Sequence, residues 1–186
     1  MGNRPLVVVL SGAPGSGKTT LARALGDALH LPVVSRDLVK TGMHVTHRAD
    51  DPADVHRYAD DAWDAFWATL DELVDRGVSI VAEAAFHARF AAAPLAALGV
   101  RADVVHVAVH VPPPVAAERY AARHAAGLRH PGHGDAGFAA AMTQPDFDWD
   151  RYVVTDPAPA LAVTATDGFD PWLPSILATI ERARTS

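Results

Sequence analysis

The 186-residue sequence contains no cysteine. A disulfide scaffold and any thiolate-ligated metal site are therefore excluded, and the absence accords with a reducing compartment. Long hydrophobic runs are also missing. The first apolar stretch, Leu6–Leu10, spans only five residues, against the roughly 20 that cross a bilayer. It leads into glycines and does not read as a secretion signal. Met1-Gly2 opens like a myristoylation signal, but Leu6 stands where Ser or Thr is required. Positive charge is scarce, with 16 Lys and Arg against 22 Asp and Glu and a net charge of −6. Neutralising a nucleic-acid backbone needs clustered basic residues, so the composition weighs against such a partner. A cytoplasmic protein without a membrane partner is expected, as a monomer or homodimer.

What is present suits one globular domain spanning 1–186. Apolar residues make up 49%, enough for a sizeable core. Leu6–Leu10 reads as a strand buried on both faces. Further strands are expected at 32–35, 78–82, 103–111 and 160–165, with a short one at 152–155. Helices are expected at 18–29, 54–76, 88–98 with Pro94 interrupting or kinking it, 112–126 and 171–184. Val55, Tyr58, Ala62, Phe66, Leu70 and Leu73 set the buried stripe of the second helix. The stretch 127–137 reads as a mobile loop. Alternating strands and helices predict a mostly parallel five-stranded α/β sheet with right-handed crossovers.

Gly12-Ala13-Pro14-Gly15-Ser16-Gly17-Lys18-Thr19 matches G-x-x-x-x-G-K-[ST] in full, between a strand and a helix. The glycines let backbone N–H groups turn inward around phosphates, and the helix aims its N-terminus at them. Lys18 can reach the β- and γ-phosphates. The Thr19 hydroxyl can ligate Mg²⁺, and Thr20 follows it in the first helical turn. ATP is the expected nucleotide, with GTP as the alternative. The GTPase base-reading motif N-K-x-D is absent, no strand ends in D-x-x-G, and the chain is short for an AAA+ module with a helical lid. A compact phosphotransferase remains.

Ser35-Arg36-Asp37 ends the second strand, with Lys40 three residues on. Residues just past the carboxyl ends of parallel strands line the ligand crevice. Asp37 could there accept a hydroxyl proton or help hold Mg²⁺, or it could cap the next helical turn. Together with the glycine loop, this segment resembles the small P-loop kinases of the polynucleotide kinase, zeta-toxin and chloramphenicol phosphotransferase group. The resemblance implies a nucleoside-monophosphate-kinase-like fold with a small lid at about 119–137. It also implies Asp37 as general base toward an acceptor hydroxyl. Lys40 would replace an arginine of that group, losing its planar fork.

Glu83 ends the third strand beside the phosphate loop, where a buried acid is costly unless used or paired. It is a candidate for substrate or a Mg²⁺-bound water. Phe86, His87 and Arg89 follow toward the acceptor side. Arg119 and Arg123 share a helix face, and Arg129 lies in the loop beyond. In kinases of this kind lid arginines offset charge developing on the transferred phosphoryl group. Arg123 and Arg129 are the catalytic candidates and Arg119 a nucleotide contact. His130-Pro-Gly-His133 reads as a lid turn rather than a metal site. Base contacts are expected near Thr166 and Asp167.

Nine acids lie between Asp50 and Asp75. They read first as a solvated helix face and second as attraction for a cationic acceptor. Trp63, Phe66 and Trp67 are expected in the core, with one of them able to wall a pocket. The expected activity is transfer of the γ-phosphate to a hydroxyl of a small molecule: an antibiotic, nucleoside, sugar or related metabolite. A polynucleotide 5′-hydroxyl kinase, a zeta-toxin-like nucleotide-sugar kinase and a nucleotide-dependent regulatory ATPase are the alternatives.

Overall fold

The computed structural model describes residues 4–47, 57–133 and 135–184. Strand β1 (Leu6–Ser11) is buried along its whole length, as a β-branched run covered on both faces should be. It sits centrally in a five-stranded sheet ordered β2-β3-β1-β4-β5. The other strands are β2 (Val33–Ser35), β3 (Ile80–Glu83), β4 (Asp103–His110) and β5 (Leu161–Thr164). All four pairings are parallel. The chain passes from β1 to β2 through α1 (Lys18–Leu29). From β3 it crosses back over β1 to β4 through α4 (Ala88–Arg101). Strand order thus reverses at β1, and ligands of open parallel sheets bind in the crevice at such a reversal.

Alternation along the strands builds two cores. Val8, Leu10, Val105, Val107 and Val109 pack with Leu21 and Leu25 of α1 and with Ile176 and Ile180 of α7 (Leu173–Arg184). Val7 and Val9 face the other way, onto Phe66, Leu70 and Val74 of α3 (Ala59–Asp75) and Leu95 and Leu98 of α4. Each such large buried side chain contributes roughly 1.5–3 kcal/mol. A third, smaller cluster joins α5 (Pro113–Ala125) to α6 (Asp135–Ala141) through Tyr120 and Met142, with Phe138 against it.

Several local expectations change. Residues 36–47 form a full helix, α2 (Arg36–His47), with Asp37 in its first turn. Asp37 is therefore inside a helix start, where a carboxylate is also favoured by the helix dipole. The expected loop at 127–137 holds a 3-10 turn at Pro131–His133 and the start of α6. Helix α4 continues through Pro94 to Arg101. A 3-10 turn at Asp150–Tyr152 replaces the short strand. The described part of the second long helix begins at Ala59. Asp50, Asp51, Asp54 and Val55 lie outside the described residues. Among the described residues no helix is long and apolar enough to cross a membrane.

Candidate active site

The phosphate loop leaves β1 at Ser11 and enters α1 at Lys18. Gly12 and Gly15 carry φ of 143° and 85°, a region that L-residues with side chains avoid. A Cβ on Gly12 would lie 2.3 Å from the Val109 carbonyl oxygen, and one on Gly15 2.2 Å from that of Ala116. Glycine is therefore needed twice, for conformation and for close approach. Ser16 Oγ is buried with no hydrogen-bond partner, although buried hydroxyls are nearly always paired. That orphaned group and the glycine cradle fit a phosphate-bearing ligand. Lys18 Nζ donates to the Ala13 carbonyl at 3.3 Å. Burial pushes its ammonium below the usual lysine range, Glu83 and Asp37 pull it back up, and Arg123 and Arg129 push it down.

Strand register places the acid beside this loop. Glu83 stands opposite Leu10 on one side and Ser35 on the other. Its Oε1 accepts from Ser35 Oγ at 2.5 Å and from Thr19 Oγ1 at 3.2 Å, and the residue is 2% exposed. The acid that contacts Thr19 is thus Glu83, a candidate for substrate or a Mg²⁺-bound water. Asp37, expected at the metal as well as the acceptor, lines the cleft and bonds Arg129. A hydroxyl and a carboxylate in contact are the oxygen donors a hard divalent cation prefers, so Thr19 and Glu83 fit Mg²⁺. Among the described residues no group of three or more His, Asp or Glu could by itself hold a metal ion.

Arg129 Nη2 donates to Asp37 Oδ2 at 2.7 Å. The other oxygen, Oδ1, is 3.6 Å from Arg36 Nη1. Asp37 is half-exposed to the cleft, yet charged groups crowd it. Burial would raise its pKa, but Arg129, Lys18, His133 and Arg36 together hold it below the usual carboxylate range. Arg129 Nη2 also approaches His133 Nδ1 at 3.0 Å. Arginine can only donate, so Nδ1 is the acceptor and the ring proton sits on Nε2. His133 Nε2 then donates to Thr41 Oγ1 at 2.9 Å, and that hydroxyl donates to the Asp37 carbonyl at 2.9 Å. Arg129 Nη1 donates to the Tyr120 hydroxyl at 3.2 Å. Gly132 abuts the buried His44 ring, where a Cβ would meet Nδ1 at 2.4 Å. The lid turn is therefore docked on α2.

A cleft of about 670 Å³ opens between these groups. Lys18, Thr19, Asp37, Lys40, Arg123 and Arg129 line its phosphate-loop end. Trp63 and Trp67 of α3 line it further out, with Phe86 and Phe90 at the entry to α4. Tyr120, Phe138 and Tyr152 complete the lining. Arg89 lies in the wall as expected, its guanidinium 4.4 Å over the Phe90 ring.

Arg119 is not among the lining residues. It donates to the carbonyls of Ala165 at 2.7 Å and Thr166 at 2.5 Å, bracing the segment where base contacts were expected. Arg119 and Arg123 share one helix and reach different places. Of the α3 acids, Asp71 and Asp75 both bond Arg101 and Glu72 bonds Arg76, a solvated and paired face. Asp60 and Asp64 line the cleft instead.

Arg36 and Tyr120 went unassigned as site residues, and His133 was assigned only to a turn. Arg36 stands beside Asp37 in the sequence, but nothing in the spacing told that it would donate to the Ala59 carbonyl at 2.6 Å and cover Trp63. His133 lies 92 positions from Thr41, and no local pattern encodes that contact.

A glycine-built anion cradle at the strand-order reversal, with Lys and Thr opening the next helix, defines a P-loop nucleotide-binding protein. The chain belongs to the AAA domain family AAA_33, whose model matches residues 7–144. No match is found among curated proteins. Solved structures with similar folds include a protein from Chloroflexus aurantiacus j-10-fl, provisionally termed a kinase, at 23% identity and a TM-score of 0.72, covering 98% of both chains. The APS kinase of Mycobacterium tuberculosis in complex with AMPPNP and APS follows at 19% identity and 0.58, covering 97% of this chain and 99% of that one. A gluconokinase from Sinorhizobium meliloti 1021 stands at 18% identity and 0.56, covering 99% and 96%. At these identities the likeness is one of fold, and the fold is that of P-loop kinases.

Proposed function

We propose that this protein is a kinase that transfers the γ-phosphate of ATP to a hydroxyl of a small molecule bound in the cleft. One observation carries the reading. A carboxylate, Asp37, lines the same cleft as Lys18 and Thr19 and stands in contact with a lid arginine. A nucleotide switch needs the cradle and has no use for an acid facing an acceptor-sized cavity.

The roles follow from the contacts. The loop N–H groups and Lys18 hold the phosphates, and Thr19 with Glu83 would hold Mg²⁺, which supplies charge neutralisation at the β- and γ-oxygens. Arg129 holds Asp37 Oδ2 at 2.7 Å while Oδ1 lies 3.6 Å from Arg36 Nη1, so Oδ1 is the oxygen assigned to an acceptor hydroxyl. The hydroxyl oxygen bonds the γ-phosphorus and the bond to the β,γ-bridging oxygen breaks. The hydroxyl proton passes to Asp37, and ADP departs. A carboxylate with a depressed pKa is a weak base. In phosphoryl transfer little covalent chemistry falls to the protein, so Asp37 chiefly orients the nucleophile and takes its proton late. Arg123 and Arg129 supply positive charge from the lid.

The test is transfer from γ-labelled ATP with Mg²⁺ to pooled hydroxyl compounds. Label appearing in one pool, and lost in Lys18→Ala, is the expected result. Label released only as inorganic phosphate from every pool would refute acceptor transfer and leave the regulatory ATPase.

A further inference from the structure

The cleft also says what kind of acceptor it suits, on the reading that it is an acceptor site. Its lining beyond the phosphate loop is rich in aromatic rings. Trp63 and Trp67 lie nearly parallel, 6.1 Å apart at 21°, and Phe86 packs against both at 5.7 Å. Tyr120, Phe138 and Tyr152 add further rings to the lining, Tyr152 edge-on to His87 at 5.3 Å. Flat apolar faces prefer other flat apolar faces, offset or edge-on.

Neutral hydrogen-bonding groups are sparse. Among the described lining residues there is no serine, asparagine or glutamine, and the one aliphatic hydroxyl is Thr19 in the phosphate loop. The Tyr120 phenol is engaged by Arg129. A polyol brings many hydroxyls, each costly to desolvate without a partner. The rings of Trp63, Trp67, Phe86 and Phe90 offer them only two indole N–H groups, and the cleft's other polar lining is nearly all charged or histidine.

It does offer one uncommitted charge. Arg89 has no carboxylate partner among the described residues. Arg36 is bonded to Ala59 and faces Asp37, and Asp60 and Asp64 of α3 also line the cleft. Burial lowers the pKa of His87, near Arg89 in the chain, and the charges of Arg151, Arg89 and Arg36 lower it further against the opposing charge of Asp148.

The geometry points to an acceptor that is a flat aromatic alcohol bearing one negatively charged group, its ring against Trp63, Trp67 and Phe86, its anion at Arg89 and its hydroxyl at Asp37. Arg89 is then the specificity-determining residue of the site.

The test uses binding, so that it does not depend on turnover. Ligand-observed NMR titrations compare 4-(hydroxymethyl)benzoate, benzyl alcohol and gluconate against the full chain with Mg²⁺ and a non-hydrolysable ATP analogue. The aromatic acid should bind at least about tenfold tighter than either other probe. In Arg89→Ala, an exposed position where folding is checked by circular dichroism, the advantage over benzyl alcohol should fall below about threefold with benzyl alcohol itself unchanged. Gluconate binding as tightly as the aromatic acid would overturn the inference. So would a preference that survives Arg89→Ala, or no binding of the aromatic acid up to about 10 mM. The kinase reading fails separately: tight aromatic binding with no label transferred to any aromatic alcohol would sink that reading alone. Transfer to a polyol that also outbinds the aromatic acid would sink this inference alone.

Discussion

Glu83 is the residue on which fold and site most depend together, and its removal gives a worked prediction. Its carboxylate is buried, accepts two hydroxyls on one oxygen and is the largest attractive charge acting on the buried Lys18. Glu83→Ala strands Ser35 Oγ and leaves Lys18 without its main compensating charge. A hydrogen bond to a charged group contributes about 1.5–3 kcal/mol, and breaking a buried charge arrangement by removing one side costs about 3–5 kcal/mol. These terms overlap, so the expected loss is about 3–5 kcal/mol, a large part of a typical domain's stability. For a chain of this size that is a fall in Tm of roughly 6–20 °C. Glu83→Gln keeps the shape and an acceptor oxygen but also removes the charge facing Lys18, so it should be less destabilising than Glu83→Ala by only about 1–2 kcal/mol. The assay is thermal unfolding by circular dichroism, with urea titration to compare stability at one temperature. A loss under about 1 kcal/mol for Glu83→Ala would refute the argument. Such a result would mean the Ser35 and Thr19 contacts are not formed in solution.

Three further outcomes are expected. Gly12→Ala should abolish nucleotide binding in a fluorescent-ADP titration, because its Cβ would collide with the Val109 carbonyl at 2.3 Å; unchanged affinity would show that the cradle does not need this turn. His106 is buried between Ser11 Oγ at 2.7 Å and the Pro157 carbonyl at 2.9 Å, and burial lowers its pKa, the Pro157 bond opposing and His110 adding to the effect. The unfolded state therefore binds this proton more readily, so stability falls as pH drops below about 6.5 toward the folded value; melting curves of His106→Gln should show a shallower fall over that window, and an unaltered slope would remove His106 as a cause. His133→Ala should loosen the turn, raising amide exchange across 126–133 about thirtyfold for two lost bonds of about 1 kcal/mol each; exchange equal to the unaltered protein would show that the Arg129–His133–Thr41 chain does not hold it.

The central strand, the glycine loop and the buried stripe of α3 were legible because each rests on a local rule. A β-branched run, a complete phosphate-loop motif and a helical period are all visible within a dozen residues. Asp37 was legible by its place after the second strand. What the spacing could not convey was which partner each charge would find. Thr19 meets Glu83 through β1–β3 register, 64 positions apart, and Arg129 meets Asp37 across 92. Helix α2 was hidden because its glycine, β-branched residues and histidines are indifferent helix formers. Its helical state comes from packing, with His44 buried against Tyr58 and the lid turn. The two cleft tryptophans looked like core from their period, and partial burial at the rim of that core is what makes them a wall.

The most direct test of the account is Asp37→Asn, measured for both nucleotide affinity and single-turnover transfer once an acceptor is in hand. Because the folded pKa of Asp37 is depressed, the base is ionised throughout the neutral range, and transfer by the unaltered protein should fall only as pH drops below the ordinary carboxylate range. The account predicts that Asp37→Asn keeps ATP affinity within a few-fold while transfer slows about 10²–10⁴-fold. Transfer at the unaltered rate would remove Asp37 from the reaction and with it the reason for reading the cleft as an acceptor site.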